Sequence, residues 1–409
     1  MAKKEVVLIG AGKIGRGYIA DLFNTAGYKL VFLEYAEGLV QKLRQQGYYT
    51  IFRSHDDRPG FDKAVIRGYD AYCTQTEYEQ CINAIAATNY VTIHVFPMAC
   101  ESIGHMIGDA IKLRYKNGNS EPLDLLFCVN FVYPGEIFKK YILERLTPEE
   151  AAFMEEHVGF VESLVFRLGA DPMPEMRQED EISILSGDRD FLPVGNEWKG
   201  QIPEGVKLVV RDNMPARLVY KIWAGNTSHL AKASFGQRRG YQWAWQSDED
   251  PYVRKCAAFC AREASFGVAA EFGMQESELR DHPEERFDPA SINKDVEDPL
   301  TRIAQDPKRK LARNDRLVGP ALLCLKHGRL PYYLARSAAM MFYFQNPKDA
   351  AAVEIQNYLS ENGIEKAIEK YCQLDRSKKE EELLFQLILA QYFEENDADP
   401  FDMPNYKKA

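Results

Sequence analysis

In the first half of the chain, apolar residues fall in short compact runs that alternate with segments of helical spacing. The run EVVLIG at residues 5–10 reads as a strand. KIGRGYIADLFNTAG has apolar positions at helical intervals and ends in Gly27, and YKLVFLE is a second strand. TEYEQCINAIAA then predicts a helix, NYVTIHVF a strand, CESIGHMIGDAIKLR a helix and LDLLFCVN a strand. That alternation predicts a parallel sheet covered by helices on both faces. Between residues 45 and 75 the pattern is less regular, with YYTIFR and KAVIRGYDAYC as extra strands. A further strand-rich patch follows at ISIL, DFLPV and VKLVV. After about residue 212 the strand signals stop, and helical periodicity continues to the end, as in PALLCLKHG and EEELLFQLILAQYF.

A chain of 409 residues is too long for one ordinary core, so two domains are expected. The glycine- and proline-containing stretch GNEWKGQIPEG places their boundary near residue 200, giving an α/β domain over 1–200 and a mostly α-helical domain over 201–409. No internal repeat or low-complexity segment interrupts this plan. Composition is that of a globular protein, 45% hydrophobic and 27% charged, and no apolar run approaches the roughly 18 residues of a spanning helix. Two lysines precede the first apolar run as in a secretory leader. The run is too short for one and enters a glycine-rich turn, so a folded strand is expected instead. The eight cysteines form no CxxC pair and no zinc-spaced cluster with histidine, which predicts buried free thiols, a cytoplasmic location and no metal. A net charge of −10 argues against a general nucleic-acid role.

The stretch LIGAGKIGRG contains GxGxxG as Gly10, Gly12 and Gly15. The pattern alone is weak, but here it follows an apolar strand and opens a helix, which is the context its mechanism needs. Gly10 permits the tight turn, Gly12 the approach of a pyrophosphate, and Gly15 close packing of helix on strand, while the helix N-terminus offers N–H groups and a partial positive charge. The expected cofactor turn is therefore Gly10, Gly12, Lys13, Ile14 and Gly15, on a Rossmann-type doubly wound sheet. The second strand ends at Glu34, an acid placed to accept hydrogen bonds from ribose hydroxyls and to repel a 2′-phosphate, and the YAEG that follows has no basic residue. NAD is expected rather than NADP. A flavin uses a similar turn and stays open on these residues alone.

A dehydrogenase acting on an alcohol needs a proton acceptor. KIWAGNTSH, residues 221–229, carries Lys221, Asn226 and His229 in an otherwise apolar helix. At 100° per residue, His229 lies about 80° and Asn226 about 140° from Lys221, so all three can face one cavity. Lys221 would be the base if burial or a positive neighbour lowers its pKa. Asn226 would donate to a developing alkoxide, and His229 would hold a substrate oxygen or orient the lysine. Gly225 would let a ligand approach the helix. The other reading of this spacing is a solvent-reaching lysine with two satisfied core polar groups. Downstream, residues 302–316 hold Arg302, Lys308, Arg309, Lys310, Arg313 and Arg316 against Asp306 and Asp315. Arg309, Arg313 and Arg316 share one face if the helix is continuous, a cluster suited either to a phosphate or to internal ion pairs. His94 ends a strand and is expected in the core or at the cofactor's edge. Trp223, Trp243 and Trp245 are expected to pack. The C-terminal amphipathic helix suits a surface or a second subunit.

The set Lys221-x4-Asn226-x2-His229 resembles the signature of the mannitol dehydrogenase family, the polyol-specific long-chain dehydrogenases. RDNMPARLVYKIWAGNTSHLAKASFG, GAGKIGRG and GFVESLVFRLGADP are similar to that family's segments, so the likeness covers residues 5 to about 330. The resemblance implies that Lys221 is the general base, and that Asn226 and a second asparagine, Asn130 of CVN, stabilise the alkoxide. Many members carry an acid where this chain has Val129. RKL…DRL…P, with Arg309, Lys310, Arg313 and Arg316 in or beside it, is similar to the branch that acts on a phosphorylated hexitol, with Lys310 and Arg316 nearest its pattern. The implied reaction is metal-independent, NAD-linked interconversion of mannitol 1-phosphate and fructose 6-phosphate. The partner is then a sugar or polyol phosphate, with no nucleic acid or membrane, and the protein a monomer or homodimer. The alternative is reduction of a free ketose or a hexuronate of the tagaturonate or fructuronate type. A nucleotide-responsive binding protein is a third class, against which the Lys221 set argues, because a sensor needs no proton acceptor.

Overall fold

Every residue of β1 (Glu5–Ile9) is buried. Val6 and Leu8 enter one core and Val7 and Ile9 another, because successive side chains of a strand point to opposite faces and both faces are covered. The computed structural model describes residues 4–55, 60–167, 169–279, 292 and 298–397. They divide into two units, 1–218 and 219–409.

In the first unit the strands are β1, β2 (Lys29–Glu34), β3 (Tyr48–Ser54), β4 (Phe61–Arg67), β5 (Asp70–Cys73), β6 (Tyr90–Ile93), β7 (Leu123–Phe127), β8 (Val158–Glu162), β9 (Gly169–Ala170), β10 (Ile184–Gly187), β11 (Leu192–Val194) and β12 (Leu208–Val210). Six form a parallel sheet in the order β5-β2-β1-β6-β7-β8, the doubly wound arrangement expected from the sequence. The order reverses between β1 and β6, so the crevice at their carboxyl ends is where such sheets take ligands. The irregular region resolves into β5, which completes this sheet, and a second sheet of order β4-β3-β10-β9. The helices of the unit are α1 (Ala20–Thr25), α2 (Glu37–Gln46), α3 (Tyr78–Ala87), α4 (Cys100–Lys116), α5 (Pro134–Leu143), α6 (Pro148–His157) and α7 (Pro174–Glu179).

The stretch GNEWKGQIPEG is a loop of this unit and not a linker. The Asp124 carboxylate accepts from the backbone N–H groups of Lys199 (2.7 Å) and Gly200 (3.1 Å), and the Tyr90 hydroxyl donates to the Gln201 carbonyl. Glycine and proline mark a turn there, but hydrogen bonds to Asp124 and Tyr90 hold it to the sheet. The division therefore lies at 218/219 and not near residue 200.

Helices make up the second unit: α8 (Met214–Tyr220, which begins just before the division), α9 (Asn226–Arg238), α10 (Ala244–Glu249), α11 (Pro251–Phe272), α12 (Glu276–Leu279), α13 (Leu300–Ile303), α14 (Pro307–Leu311), α15 (Val318–Lys326), α16 (Tyr332–Met341), α17 (Ala350–Cys372) and α18 (Lys379–Asp397). Its core gathers small and aliphatic residues of α9, α11, α15, α16, α17 and α18. Glu263, buried in α11, accepts the backbone N–H groups of Tyr333 and Leu334 and so caps α16 from a neighbouring helix. All eight cysteines are buried free thiols, as expected. No helix among the described residues is long and apolar enough to cross a membrane.

Two glycines test how tightly the layers are packed. A methyl group on Gly104 of α4 would lie 2.6 Å from Cβ of Tyr141 in α5, whereas one on exposed Gly38 of α2 would meet nothing within 4 Å. Alanine gains up to about 1 kcal/mol over glycine in helix propensity, while forcing an atom into a packed interface costs about 1–3 kcal/mol. Gly38→Ala should therefore raise the melting midpoint and Gly104→Ala should lower it, as measured by calorimetry. A rise for both would mean that α4 and α5 are not in close contact.

Candidate active site

The glycine turn is built by close approach of backbone. Gly10 has φ of +96°, and a Cβ there would lie 2.8 Å from the His94 carbonyl oxygen. A Cβ on Gly15 would lie 2.1 Å from the Gly10 carbonyl oxygen, so any side chain there would push the helix off the strand. Gly12 faces open space, with nothing within 4 Å of where its Cβ would be. The helix over 13–25 begins directly behind it and includes a π turn at Gly15–Ile19, closed by the Ala20 N–H on the Gly15 carbonyl. The Glu34 carboxylate accepts the Ala11 N–H at 2.6 Å and the Ala36 N–H at 2.9 Å, which fixes it at the end of β2 beside the turn. A cradle without side chains, a helix N-terminus and an oriented acid fit the pyrophosphate and ribose of a dinucleotide. Lys13 turns its ammonium to Asp171 at 2.7 Å, so its contribution to the turn is its backbone, and Ile14 packs its side chain by Gly169.

Asn130 follows β7 in the loop that leads into α5, where Tyr133 adopts left-handed backbone at φ +54°. Val129 is buried in the core with Phe127 and Phe138. Sequence reasoning missed two buried groups of this unit. Arg16 donates from Nε to the Ala11 carbonyl and from a terminal nitrogen to the Ile182 carbonyl, bracing the glycine turn against the loop before β10. Glu162 ends β8 with one oxygen buried and unpartnered. Desolvation, with Glu197 and Glu136 nearby, raises its pKa to about 7. No pattern in one sequence separates such groups from surface charges.

In the second unit, a π turn at Lys221–Gly225 joins α8 to α9, and the Asn226 N–H bonds the Lys221 carbonyl five residues back. A π turn absorbs one extra residue. Lys221, Asn226 and His229 therefore take the places of i, i+4 and i+7 of an ordinary helix, spread over about 60° of one face. The uninterrupted α-helical count put Asn226 much farther round, and the bulge corrects it. Lys221 is partly buried. Desolvation first, and the positive charge of Arg316 second, lower its pKa to about 8. The Asn226 side-chain nitrogen is buried without a hydrogen-bond partner. Gly225 is exposed with open space around it, and His229 is exposed on the next turn. Trp223 packs its indole on Gly319 of α15, as a Cβ on that glycine would lie 2.7 Å from the ring.

The basic segment does not form one helical face. α14 ends at Leu311, and Ala312 leaves the helix. Lys310 is buried with its ammonium donating to the carbonyls of Ile303 and Gln305, which locks it as a cap on α13 and brings its pKa down to about 7, mainly by desolvation. Arg309 lies near Asp306 at 3.5 Å, and Arg313 pairs with Glu381 of α18. Arg316 differs. It is buried, its Nε bonds Asp315 at 2.7 Å, its carbonyl accepts the Thr227 hydroxyl of α9 at 2.6 Å, and one terminal nitrogen has no partner. Of the four residues expected to hold a phosphate, Lys310, Arg313 and Arg309 face carbonyl or carboxylate partners, and Arg316 keeps a buried nitrogen without one. Among the described residues, no group of three His, Cys, Asp or Glu side chains could hold a metal ion.

The Arg316–Lys221 coupling has a measurable sign. A neighbouring positive charge favours the neutral amine, so removing it moves the lysine's pKa up from about 8 toward its ordinary value. Arg316→Met should shift the Lys221 titration to higher pH, as followed by carbon-13 NMR of the dimethylated lysine. An unmoved titration would mean that desolvation alone sets it.

Comparison with known proteins gives this arrangement its setting. The model of the mannitol dehydrogenase Rossmann domain matches residues 4–189, and that of the mannitol dehydrogenase C-terminal domain matches residues 218–392. A protein of Anoxybacillus flavithermus named mannitol-1-phosphate 5-dehydrogenase is 30% identical over 373 residues, covering 90% of this chain and 95% of its own. One of the same name from Geobacillus stearothermophilus is 27% identical over 383 residues, covering 90% and 95%. The solved structure of Pseudomonas fluorescens mannitol 2-dehydrogenase in ternary complex with NAD and D-mannitol superposes with a TM-score of 0.71 at 15% identity, covering 97% of this chain and 92% of that one. A substrate-free D-sorbitol dehydrogenase gives 0.66 at 14% identity, covering 96% and 93%. With both of its units matched in order along the sequence, the chain belongs to the mannitol dehydrogenase family.

Proposed function

We propose that the protein is an NAD-dependent dehydrogenase interconverting mannitol 1-phosphate and fructose 6-phosphate, with Lys221 as general base. The observation that carries this reading is a buried arginine nitrogen without a partner on Arg316, beside a lysine whose pKa is lowered to about 8. Such a nitrogen suits an anionic oxygen, and guanidinium grips phosphate well. The names of the relatives, mannitol-1-phosphate 5-dehydrogenase, agree with a phosphorylated hexitol.

Bound NAD would supply the hydride acceptor, cradled at Gly10, Gly12 and Gly15 with Glu34 on the adenosine ribose. Neutral Lys221 takes the proton from the substrate hydroxyl. The unpartnered amide of Asn226 donates to the oxygen as it becomes an alkoxide; for Asn130 the resemblance to the family implies a like role. His229 holds a further substrate oxygen. Oxidation needs the neutral amine and ketone reduction the ammonium. Oxidation should therefore gain with rising pH through about 8, and reduction should lose over the same range.

A second reading has one specific observation in its favour. With Lys310 and Arg313 engaged in other contacts, the anion site comes down mainly to one arginine, which would also suit the single charge of a hexuronate carboxylate. Steady-state assays with NAD(H) against hexitols, their phosphates and hexuronates separate the two.

Lys221→Ala should lower turnover by roughly two to four orders of magnitude. NADH binding should persist, because the glycine turn belongs to the other unit. Near-normal turnover in a folded variant would place the base elsewhere.

Arg316→Ala should raise the Michaelis constant for mannitol 1-phosphate or fructose 6-phosphate by about one to two orders of magnitude, the worth of a charge-assisted hydrogen bond of about 1.5–3 kcal/mol. Lys310→Ala should instead lower the melting midpoint, since it removes a buried cap. Equal use of free and phosphorylated sugars by the parent enzyme would overturn the phosphate assignment.

A further inference from the structure

His94 has a place in the fold that the reaction scheme leaves unused. It follows β6 at the point where the strand order of the sheet reverses, and its N–H donates to the Ile9 carbonyl at the end of β1. Its Nδ1 lies 3.2 Å from the Gly10 carbonyl oxygen. A carbonyl can only accept, so Nδ1 carries the hydrogen and the neutral ring presents a lone pair at Nε2. Burial brings the pKa down to about 4, which keeps the ring in that neutral form. Nε2 is enclosed and has no hydrogen-bond partner in the protein, although the residue as a whole is only partly buried. A buried acceptor left unmatched is costly, and a ligand that brings a donor removes the cost.

Strand order says which part of a ligand that donor belongs to. Glu34 ends β2 on one side of β1, where it would read the adenosine ribose, and the glycine turn after β1 would hold the pyrophosphate. His94 lies on the opposite side of β1, at the end of β6. We propose that His94 is a cofactor ligand and positioning residue: Nδ1–H holds the Gly10 turn, and Nε2 accepts a hydrogen bond from a donor on the nicotinamide half of the dinucleotide. The inference rests on the NAD reading given above. A ribose hydroxyl and the carboxamide N–H are both donors of the right kind.

The test measures binding without turnover, using fluorescence titration with NADH and with reduced nicotinamide mononucleotide, and calorimetry with ADP. His94→Asn keeps an amide N–H for Gly10 but withdraws the distant acceptor, whereas His94→Gln supplies an acceptor farther out. His94→Ala and His94→Asn should bind NADH and the mononucleotide roughly three- to tenfold more weakly, with ADP unchanged. His94→Gln should recover much of the loss. NADH affinity equal to the parent's in the Ala and Asn variants would overturn the proposal. So would an equal loss of NADH and ADP binding, which would make His94 a support of the turn alone. A parent protein that binds ADP and NADH at no measurable level would instead sink the dinucleotide reading itself.

Discussion

One backbone hydrogen bond shapes the helix that carries Lys221, Asn226 and His229: the Asn226 N–H on the Lys221 carbonyl, five residues back. A regular helix would turn the amide well away from the lysine, and the extra residue of the π turn brings lysine, asparagine and imidazole onto one face. The turn is held from outside the helix. Trp223 lies against Gly319, and the Thr227 hydroxyl reaches the Arg316 carbonyl, so α15 and the loop before it fix the bulge from one side.

The same contact sets the electrostatics. Anchoring Arg316 by its carbonyl and by Asp315 leaves its charge near Lys221, where it disfavours a second positive charge. The Asn226 amide nitrogen and one Arg316 nitrogen are also buried without a hydrogen-bond partner in the protein. Such groups are costly in a finished core and useful where a ligand completes them. In the first unit, the close approach of Gly10, Gly15 and His94 places another unmatched atom beside the glycine turn.

Much of this was legible in the linear pattern. Alternating apolar runs and helical segments specify a doubly wound sheet, because strands covered on both faces must be apolar throughout while their helices are apolar on one side. The glycine turn, Glu34 and the Lys221 set could be singled out as candidates for the same reason: residue types at fixed local spacing are visible in one dimension. The boundary near residue 200 was misplaced because glycine and proline mark a turn, but composition does not say whether Asp124 holds that turn to the sheet.

The sequence by itself determined the class of fold, the nucleotide turn and the residue types available for proton transfer, since these depend on periodicity and on neighbours a few residues apart. Only the tertiary structure decided which charges are at liberty to act. Arg309, Lys310, Arg313 and Arg316 look equivalent along the chain, yet α14 stops at Leu311, Lys310 is spent on two carbonyls and Arg313 on Glu381. A charge's role depends on the partners and the water it keeps after folding, and those come from segments remote in sequence.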